Sequence, residues 1–337
     1  MFGLKSIKNV LRLNDWWNFV VPPCLSFIYL MIYLKSISFN DSIAYIVLLL
    51  ISILGIAGYG YFLNDVCDIE FDRLAGKKNI ASKLSVFSRS LIIILLLIIA
   101  FAPWIYLPAN KVNLSLFVIQ LLLLTVYSAK PIKLKRFIYL GAVTDALYNG
   151  TIFYLILITV FNVITNINIQ YYKLFLINVF LWGFFKGIRN ILLHQLNDRK
   201  NDKRSGLSSL ALHLKPVKVV YLIDIVILPI EFLLFTSLII LISLSIKYYF
   251  VWFIVFIIFT LIKFSIWKLI VLPYRQRLFK FLYFMNDFYE EWMPAITLAY
   301  LSLLNIYFVI LLITHLALFP RGIIKFSKDI KQIFSRI

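Results

Sequence analysis

The chain has 337 residues, of which 62% are hydrophobic and 15% are charged, with a formal net charge of +19 and a mean hydropathy of +0.93. Soluble domains are about 45–50% apolar and about 25% charged, so this composition excludes a soluble or secreted domain, a disordered protein and a nucleic-acid-binding domain. It predicts an all-α, polytopic membrane helix bundle whose basic loops face anionic lipid or an anionic substrate.

Apolar segments long enough to cross a bilayer follow one another along the chain, and we count nine. They are predicted near residues 16–37, 43–63, 90–108, 113–128, 138–161, 173–195, 217–245, 248–271 and 293–319. We therefore expect one transmembrane domain over residues 1–319, followed by a basic tail at 320–337.

The basic residues of the loops predict the orientation of these spans. If the N-terminus is cytoplasmic, the loops on the other side carry only Lys111, Lys173 and Lys247, in agreement with the preference of Lys and Arg for cytoplasmic loops. Nine spans would then place the basic tail on the opposite side, against that preference, unless one span is miscounted or the tail is an interfacial amphipathic helix. A bacterial plasma membrane is the expected location, with the N-terminus and the acid-rich loops in the cytoplasm.

The first of two short acidic segments lies at the end of the second predicted span. Asn64, Asp68 and Asp72 are spaced by four residues, and Asp65 lies beside them in sequence. If the helix continues through this segment, the spacing predicts that these side chains share one helix face. Acids packed so closely repel one another unless a cation offsets their charge.

The second acidic segment lies at the end of the sixth span, on the same predicted side of the membrane. Its two carboxylates are again four residues apart, and polar residues continue this spacing back into the span. The stripe consists of Lys186, Asn190, His194, Asp198 and Asp202, with Arg189 alongside. A polar stripe on a membrane helix must face a bundle interior or a water-filled cavity. Oxygen ligands of this kind suit Mg²⁺, which bridges carboxylates to substrate phosphates.

These residues resemble the motifs of the UbiA superfamily of intramembrane prenyltransferases. The segment from Asn64 to Asp72 matches the family's NDxxDxxxD motif, and Asp198 to Asp202 matches its second motif, DxxxD. The run from Tyr127 to Lys135 is similar to the Tyr-Ser-x-x-Pro-x-x-Leu-Lys segment of many members. The run Gly76-Lys77-Lys78-Asn79-Ile80 departs from the family, in which an Arg-Pro pair often follows the first motif. The stretch before the second motif is similar to a bacterial-type subgroup, which leaves the acceptor open.

The resemblance implies that an isoprenyl group is transferred from its diphosphate to an unidentified acceptor, with Mg²⁺ as cofactor. The catalytic and metal-binding residues would be Asp65, Asp68, Asp72, Asp198 and Asp202. The substrate-binding residues would be Asn64, Lys77, Lys78, Lys130, Arg189 and Asn190. The protein is expected to be surrounded by membrane lipid, and nucleic acid is not an expected partner. The motifs specify no oligomeric state.

Other interpretations of the same residues stay open at this point. Asp145, in the fifth span, is expected to pair with Lys186 or Arg189, or else to act near the acceptor. The same fold and motifs also suit phosphoribosyl transfer from phosphoribosyl diphosphate to polyprenyl phosphate, or terpene cyclisation. A membrane transporter is the alternative from another class of protein, but its polar groups would lie near the bilayer midplane and not at helix ends.

Overall fold

The structure, a computed structural model, describes residues 8–161, 169–205, 210–269 and 282–334. The last two residues of the eighth predicted span and the last three of the predicted tail lie outside these ranges. Within them the secondary structure is helical, without strands, as the composition predicts. The main helices are α1 (Leu13–Lys35), α2 (Phe39–Cys67), α3 (Ile69–Leu74), α4 (Val86–Phe101), α5 (Lys111–Ser128), α6 (Ile138–Val160), α7 (Ile169–Ser205), α8 (Pro216–Ser243), α9 (Tyr249–Leu269), α10 (Met293–Leu304), α11 (Phe308–Leu318) and α12 (Arg321–Phe334).

Short polar side chains begin several of the spans. Ser38 precedes α2 and accepts a hydrogen bond from the Asp41 backbone N–H, and Ser85 does the same for α4 with the Ser88 N–H. Asn110 caps α5. Because the first N–H groups of a helix have no partner within the helix, such caps fix where each helix begins.

The described helices do not confirm the predicted count of nine spans. Seven of the described helices, α1, α2 and α4 to α8, are long and apolar enough to cross a membrane, and α9 has a shorter apolar part, Tyr249–Ser265. The predicted ninth span, 293–319, is two helices, α10 and α11, which are separated by a break at residues 305–307. Hydropathy does not reveal this break, because the predicted span is one long apolar run that continues through the turn.

Helices α10 and α11 form a hairpin that returns the chain to the side on which α1 begins. Phe308, at the start of α11, packs against Phe39 at the start of α2, with ring centroids 5.4 Å apart. Phe319, just after α11, stacks on Trp17 near the start of α1, at 5.8 Å. Since α1 runs away from Trp17 and α2 begins at the far end of α1, α11 runs back along α1.

The C-terminal helix α12 consequently lies beside the start of α1. It is bent by 74° from α11, and the Arg321 guanidinium lies 4.4 Å from the centroid of the Phe19 ring. Lys325 pairs with Asp287, and Lys263 Nζ lies 2.9 Å from an oxygen of Asp329. Of the alternatives left open by the sequence, the structure therefore favours those in which the tail does not lie on the opposite side. This position puts the basic tail at the same end of the bundle as the basic loops, in agreement with the charge preference.

This topology predicts which residues react with an impermeant maleimide in sealed vesicles. In a background with Cys24 and Cys67 replaced by serine, Lys83→Cys and Lys331→Cys are expected to be labelled from the same side. Lys247→Cys, in the turn between α8 and α9, is expected to be labelled from the other side. All three positions are exposed, so the measurement is the side of labelling, and opposite labelling of Lys83→Cys and Lys331→Cys would contradict the hairpin.

Glycine allows two pairs of helices to approach closely. A Cβ atom on Gly55 of α2 would lie 2.3 Å from the Ala100 backbone nitrogen of α4, and one on Gly187 of α7 would lie 2.6 Å from the Ala146 Cα of α6. Small residues of this kind are enriched where membrane helices pack. The second contact fixes α6 against α7 beside the polar stripe.

Candidate active site

The first acidic segment lies at a break in the helix and not on one continuous helix. Helix α2 ends at Cys67, Asp68 has φ −109° and ψ 8°, and α3 begins at Ile69. The Asp72 N–H still donates to the Asp68 carbonyl at 2.8 Å, so the spacing of four is kept across the break. The break presents the Asp68 carboxylate to the loop between α5 and α6.

Two lysines of that loop bind the first acidic segment. Lys133 Nζ lies 3.1 Å from Asp68 Oδ1, and Lys135 pairs with Asp68 and donates to Asn64 Oδ1 at 2.6 Å. The side chain of Lys133 is only 1% exposed. Burial lowers the pKa of Lys135, and the charge of Asp68 opposes that shift.

The other two carboxylates of this segment have different partners. The Arg12 guanidinium lies 2.9 Å from Asp65 Oδ1, which brings the start of α1 to the site. The Asn79 amide donates to Asp72 Oδ2 at 2.7 Å and to the Asp65 carbonyl at 2.8 Å. Gly76, with φ +69°, allows the chain after α3 to turn back, so that buried Asn79 reaches both residues.

A lysine that follows the first acidic segment contacts the second. Lys77, in the turn after α3, lies 3.1 Å from Asp198 Oδ2 of α7, and His194 Nε2 is 3.8 Å from the same oxygen. Asp202 is half-buried one turn further along α7. We call the end of the bundle formed by Asp65, Asp68 and Asp198 the acidic end.

The remaining predicted substrate-binding residues divide into two groups. Lys78 and Lys130 are exposed, and neither forms an ion pair with another described residue, so their roles stay predictions. Asn190 has a buried Oδ1 atom with no hydrogen-bond donor in the part of the chain that the structure describes.

Arg189 has a different environment from the one that the polar stripe predicts. Its guanidinium makes a bidentate pair with Glu231 of α8, at 2.6 and 2.8 Å, and also donates to the Leu282 carbonyl and to Asn286. Both Arg189 and Glu231 are 0% exposed. An arginine within a bilayer needs a partner, and Glu231 supplies it. The pair thereby holds α7 against α8. The substrate-binding role predicted for Arg189 stays a prediction, and its present contacts are structural ones between helices.

Sequence reasoning selected the carboxylates but missed most of their partners. Lys133 and Lys135 belong to the Tyr-Ser segment, yet from that segment only Lys130 was predicted to bind substrate. Asn79 follows the lysine pair Lys77-Lys78, and no motif signal distinguished it. The sequence signal that could have pointed to Arg12 was its position just before the first predicted span, at the same end of the bundle as the acidic segments.

Among the described residues, no three His, Cys, Asp or Glu side chains cluster closely enough to form a preassembled metal site. The carboxylates of the acidic end are instead offset by cationic side chains. Such an arrangement can bind an anion through the lysines and a divalent cation through the carboxylate oxygens, once an incoming ligand displaces the ion pairs.

Comparisons with known proteins concern the family and the fold of the chain. The sequence model of the UbiA prenyltransferase family matches residues 20–288, whereas no curated protein matches the chain. A UbiA homologue from Archaeoglobus fulgidus bound to GPP and Mg²⁺ is 18% identical, with a TM-score of 0.58, over 88% of this chain and 99% of that one. A structure described for digeranylgeranylglyceryl phosphate synthase in membranes is 19% identical, with a TM-score of 0.55, over 86% and 98% of the two chains. At these identities the likeness concerns the fold, and the family match covers most of the chain. The resemblance found in the motifs is thus confirmed, and the chain belongs to the UbiA prenyltransferase family.

Proposed function

We propose that this protein is a Mg²⁺-dependent enzyme that transfers an isoprenyl group from its diphosphate to an acceptor within the membrane. The observation that carries the proposal is the meeting of the two acidic segments, joined at 3.1 Å by Lys77 and Asp198. The A. fulgidus relative with GPP and Mg²⁺ supports the same class of donor. We further propose that the acidic end faces the cytoplasm, since most basic loop residues lie on that side.

The donor atoms of the acidic end fit Mg²⁺ because they are all oxygens. Bound there, Mg²⁺ would neutralise negative charge on the diphosphate leaving group. The residues that would hold it are Asp65, Asp68 and Asp72 of the first segment and Asp198 and Asp202 of the second.

The chain's own cations act on the leaving group. Lys133 and Lys135 already converge on Asp68, and Lys77 reaches across to α7. As the bond between C1 and the diphosphate oxygen breaks, these ammonium groups stabilise the charge that develops on the diphosphate. Asn64 orients Lys135 through its 2.6 Å contact. The apolar bundle keeps water from the allylic cation.

The direct test measures donor binding and donor cleavage separately. Purified protein in detergent is expected to bind geranyl S-thiolodiphosphate, a poorly cleaved analogue of geranyl diphosphate, only with Mg²⁺ present, and EDTA is expected to abolish that binding. Pyrophosphate release from prenyl diphosphates of several lengths is followed in parallel. Release only from phosphoribosyl diphosphate with polyprenyl phosphate, together with no binding of the prenyl analogue, would overturn the proposal.

Lys77→Ala is expected to weaken Mg²⁺-dependent binding of the analogue about tenfold, which corresponds to ~1.4 kcal/mol. The reason is that Lys77, in the turn that follows the first acidic segment, pairs with Asp198 of the second. Stability is expected to change little, since exposed ion pairs contribute about 0–1 kcal/mol. The measurement is the dissociation constant of the analogue. Lys83→Ala, an exposed lysine of the same loop, is the control, and equal effects of the two variants would contradict the assignment.

A further inference from the structure

A carboxylate lies within the membrane part of the bundle, apart from both acidic segments. Asp145 of α6 is 6% exposed and lies two residues before a π-helical turn, Leu147–Thr151. The Tyr148 hydroxyl donates to Asp145 Oδ2 at 2.5 Å, and Asn149 Nδ2 lies 3.5 Å from Oδ1. Turns of this kind inside α-helices are frequent at functional sites.

The expected structural role for Asp145, an ion pair with Lys186 or Arg189, is not found. Lys186 donates to the Tyr154 hydroxyl at 2.5 Å, and Arg189 pairs with Glu231. Within the described ranges, no lysine or arginine nitrogen lies within 4.0 Å of the Asp145 carboxylate. A carboxylate held in a membrane helix without a cation is costly and calls for a function.

Aromatic side chains connect Asp145 to the acidic end. The Tyr148 ring packs edge-on against Tyr127, with centroids 5.2 Å apart, and Lys135 Nζ lies 6.0 Å from the centroid of the Tyr127 ring. Lys135 in turn contacts Asp68. Asp145 is therefore separated from the proposed diphosphate site by one layer of tyrosines.

Further hydrogen-bond acceptors without donors lie near Asp145. The close contact of Gly187 with Ala146 places Asn190 of α7 at about the level of Asp145 of α6, and Asn190 Oδ1 is buried without a donor among the described residues. Gln120 donates to the Tyr148 carbonyl, while its own buried Oε1 has no donor in the same set of residues. Buried polar atoms are rarely left unpaired, so this region lacks donors and not acceptors.

We propose that Asp145 and Asn190 form the acceptor subsite of this enzyme and that the acceptor is a neutral, hydroxyl-bearing molecule, an alcohol or a phenol. An O–H group supplies the donor that Asn190 Oδ1 lacks, and the Asp145 carboxylate, which already accepts from Tyr148 and Asn149, offers a further acceptor for it. An anionic acceptor such as a lipid phosphate would instead be repelled by Asp145 and would offer only further acceptor oxygens. This inference rests on the proposed prenyl transfer and specifies its second substrate.

The chemical step balances with these groups alone. The acceptor hydroxyl gives its proton to the Asp145 carboxylate, and its oxygen forms the bond to C1 of the isoprenyl group. The bond from C1 to the diphosphate breaks, and its electron pair leaves with the diphosphate. The Tyr148 hydroxyl, which already donates a hydrogen bond to Asp145, holds the carboxylate in place.

The experiment compares two probes of equal chain length, 4-octylphenol and octyl phosphate. Their binding is measured by calorimetry in detergent, on protein saturated with Mg²⁺ and geranyl S-thiolodiphosphate. The wild type is expected to bind octylphenol more tightly than octyl phosphate. Asp145→Asn is expected to weaken octylphenol binding about tenfold, or ~1.4 kcal/mol, and to strengthen octyl phosphate binding, while still binding the donor analogue. Asn190→Ala, a second variant with an intact carboxylate, is expected to lose affinity for octylphenol alone.

The control is Asp41→Asn, an exposed aspartate at the start of α2, which is expected to match the wild type with both probes. Unchanged octylphenol affinity in both Asp145→Asn and Asn190→Ala overturns the inference, as does a wild type that prefers octyl phosphate. If the wild type fails to bind the donor analogue with Mg²⁺, the proposed function itself fails. Donor binding without octylphenol binding overturns the acceptor assignment alone.

Discussion

Asp68→Asn is expected to reduce Mg²⁺-dependent binding of geranyl S-thiolodiphosphate by about 10²–10³-fold, an effect comparable to the loss of one preorganised charge-stabilising group in an enzyme. Asp68 is the carboxylate on which Lys133 and Lys135 converge, so its charge positions both lysines as well as any bound cation. The measurement is the dissociation constant of the analogue with Mg²⁺ and with EDTA.

The same substitution is also expected to lower stability, because it leaves the ammonium group of Lys133, which is 1% exposed, without its carboxylate. Breaking a buried pair from one side costs about 3–5 kcal/mol. The double variant Asp68→Asn/Lys133→Met removes that unpaired charge and is expected to recover thermal stability but not donor binding.

Glu70→Gln is the matched control for the Asp68 variants, since Glu70 lies on α3 two residues away and is exposed. It is expected to bind the analogue as the wild type does. If the stable double variant binds the analogue within about threefold of the wild type, a difference of ~0.65 kcal/mol, the role of Asp68 is contradicted.

The acidic end could be predicted from the sequence because its signal is local. Asp65, Asp68 and Asp198 stand out in a chain with only 15 acidic residues, and their spacing does not depend on how the helices pack. The lysines are harder to assign, because cytoplasmic loops of any membrane protein are rich in them. Lys133 and Lys130 look alike in sequence, yet only Lys133 is buried against Asp68.

The fold class could likewise be predicted from composition, but the course of the chain after α9 could not. The run 293–319 is predominantly apolar, and a hydropathy scan detects only how long and how apolar a segment is. It does not detect a turn within such a segment. The turn at residues 305–307 contains Asn305, whose side chain accepts from the Tyr307 N–H. A single asparagine in an apolar run is too weak a signal to divide one predicted span into two.

Arg189 illustrates how a stripe of polar residues can mislead. Residues spaced by four on an α-helix advance by about 400° at each step, so a long stripe turns gradually around the helix and its members face different neighbours. Arg189 is three residues from Lys186 and faces α8, where Glu231 is available. The signal that could have revealed this pairing was Glu231 itself, one of two acids, with Asp224, within the seventh apolar segment.

Arg189→Met is therefore expected to destabilise the protein by about 3–5 kcal/mol, because it leaves the Glu231 carboxylate buried without a partner. Thermal denaturation in detergent measures the loss, and Glu231→Met is expected to show a similar one. The double variant Arg189→Met/Glu231→Met removes both charges, and apolar replacement of a buried pair is often neutral or stabilising, so it is expected to recover most of the stability.

The double variant also separates packing from substrate binding at Arg189. If Arg189 only holds α7 against α8, the double variant is stable and still binds geranyl S-thiolodiphosphate with Mg²⁺, because the carboxylates and lysines of the acidic end are unchanged. A stable double variant that has lost donor binding would instead assign Arg189 to the diphosphate, as the motif resemblance implies. The geometry favours the first result, because four of the five N–H donors of Arg189 already bind Glu231, the Leu282 carbonyl and Asn286. A bidentate contact with a diphosphate would therefore require at least one of these contacts to break.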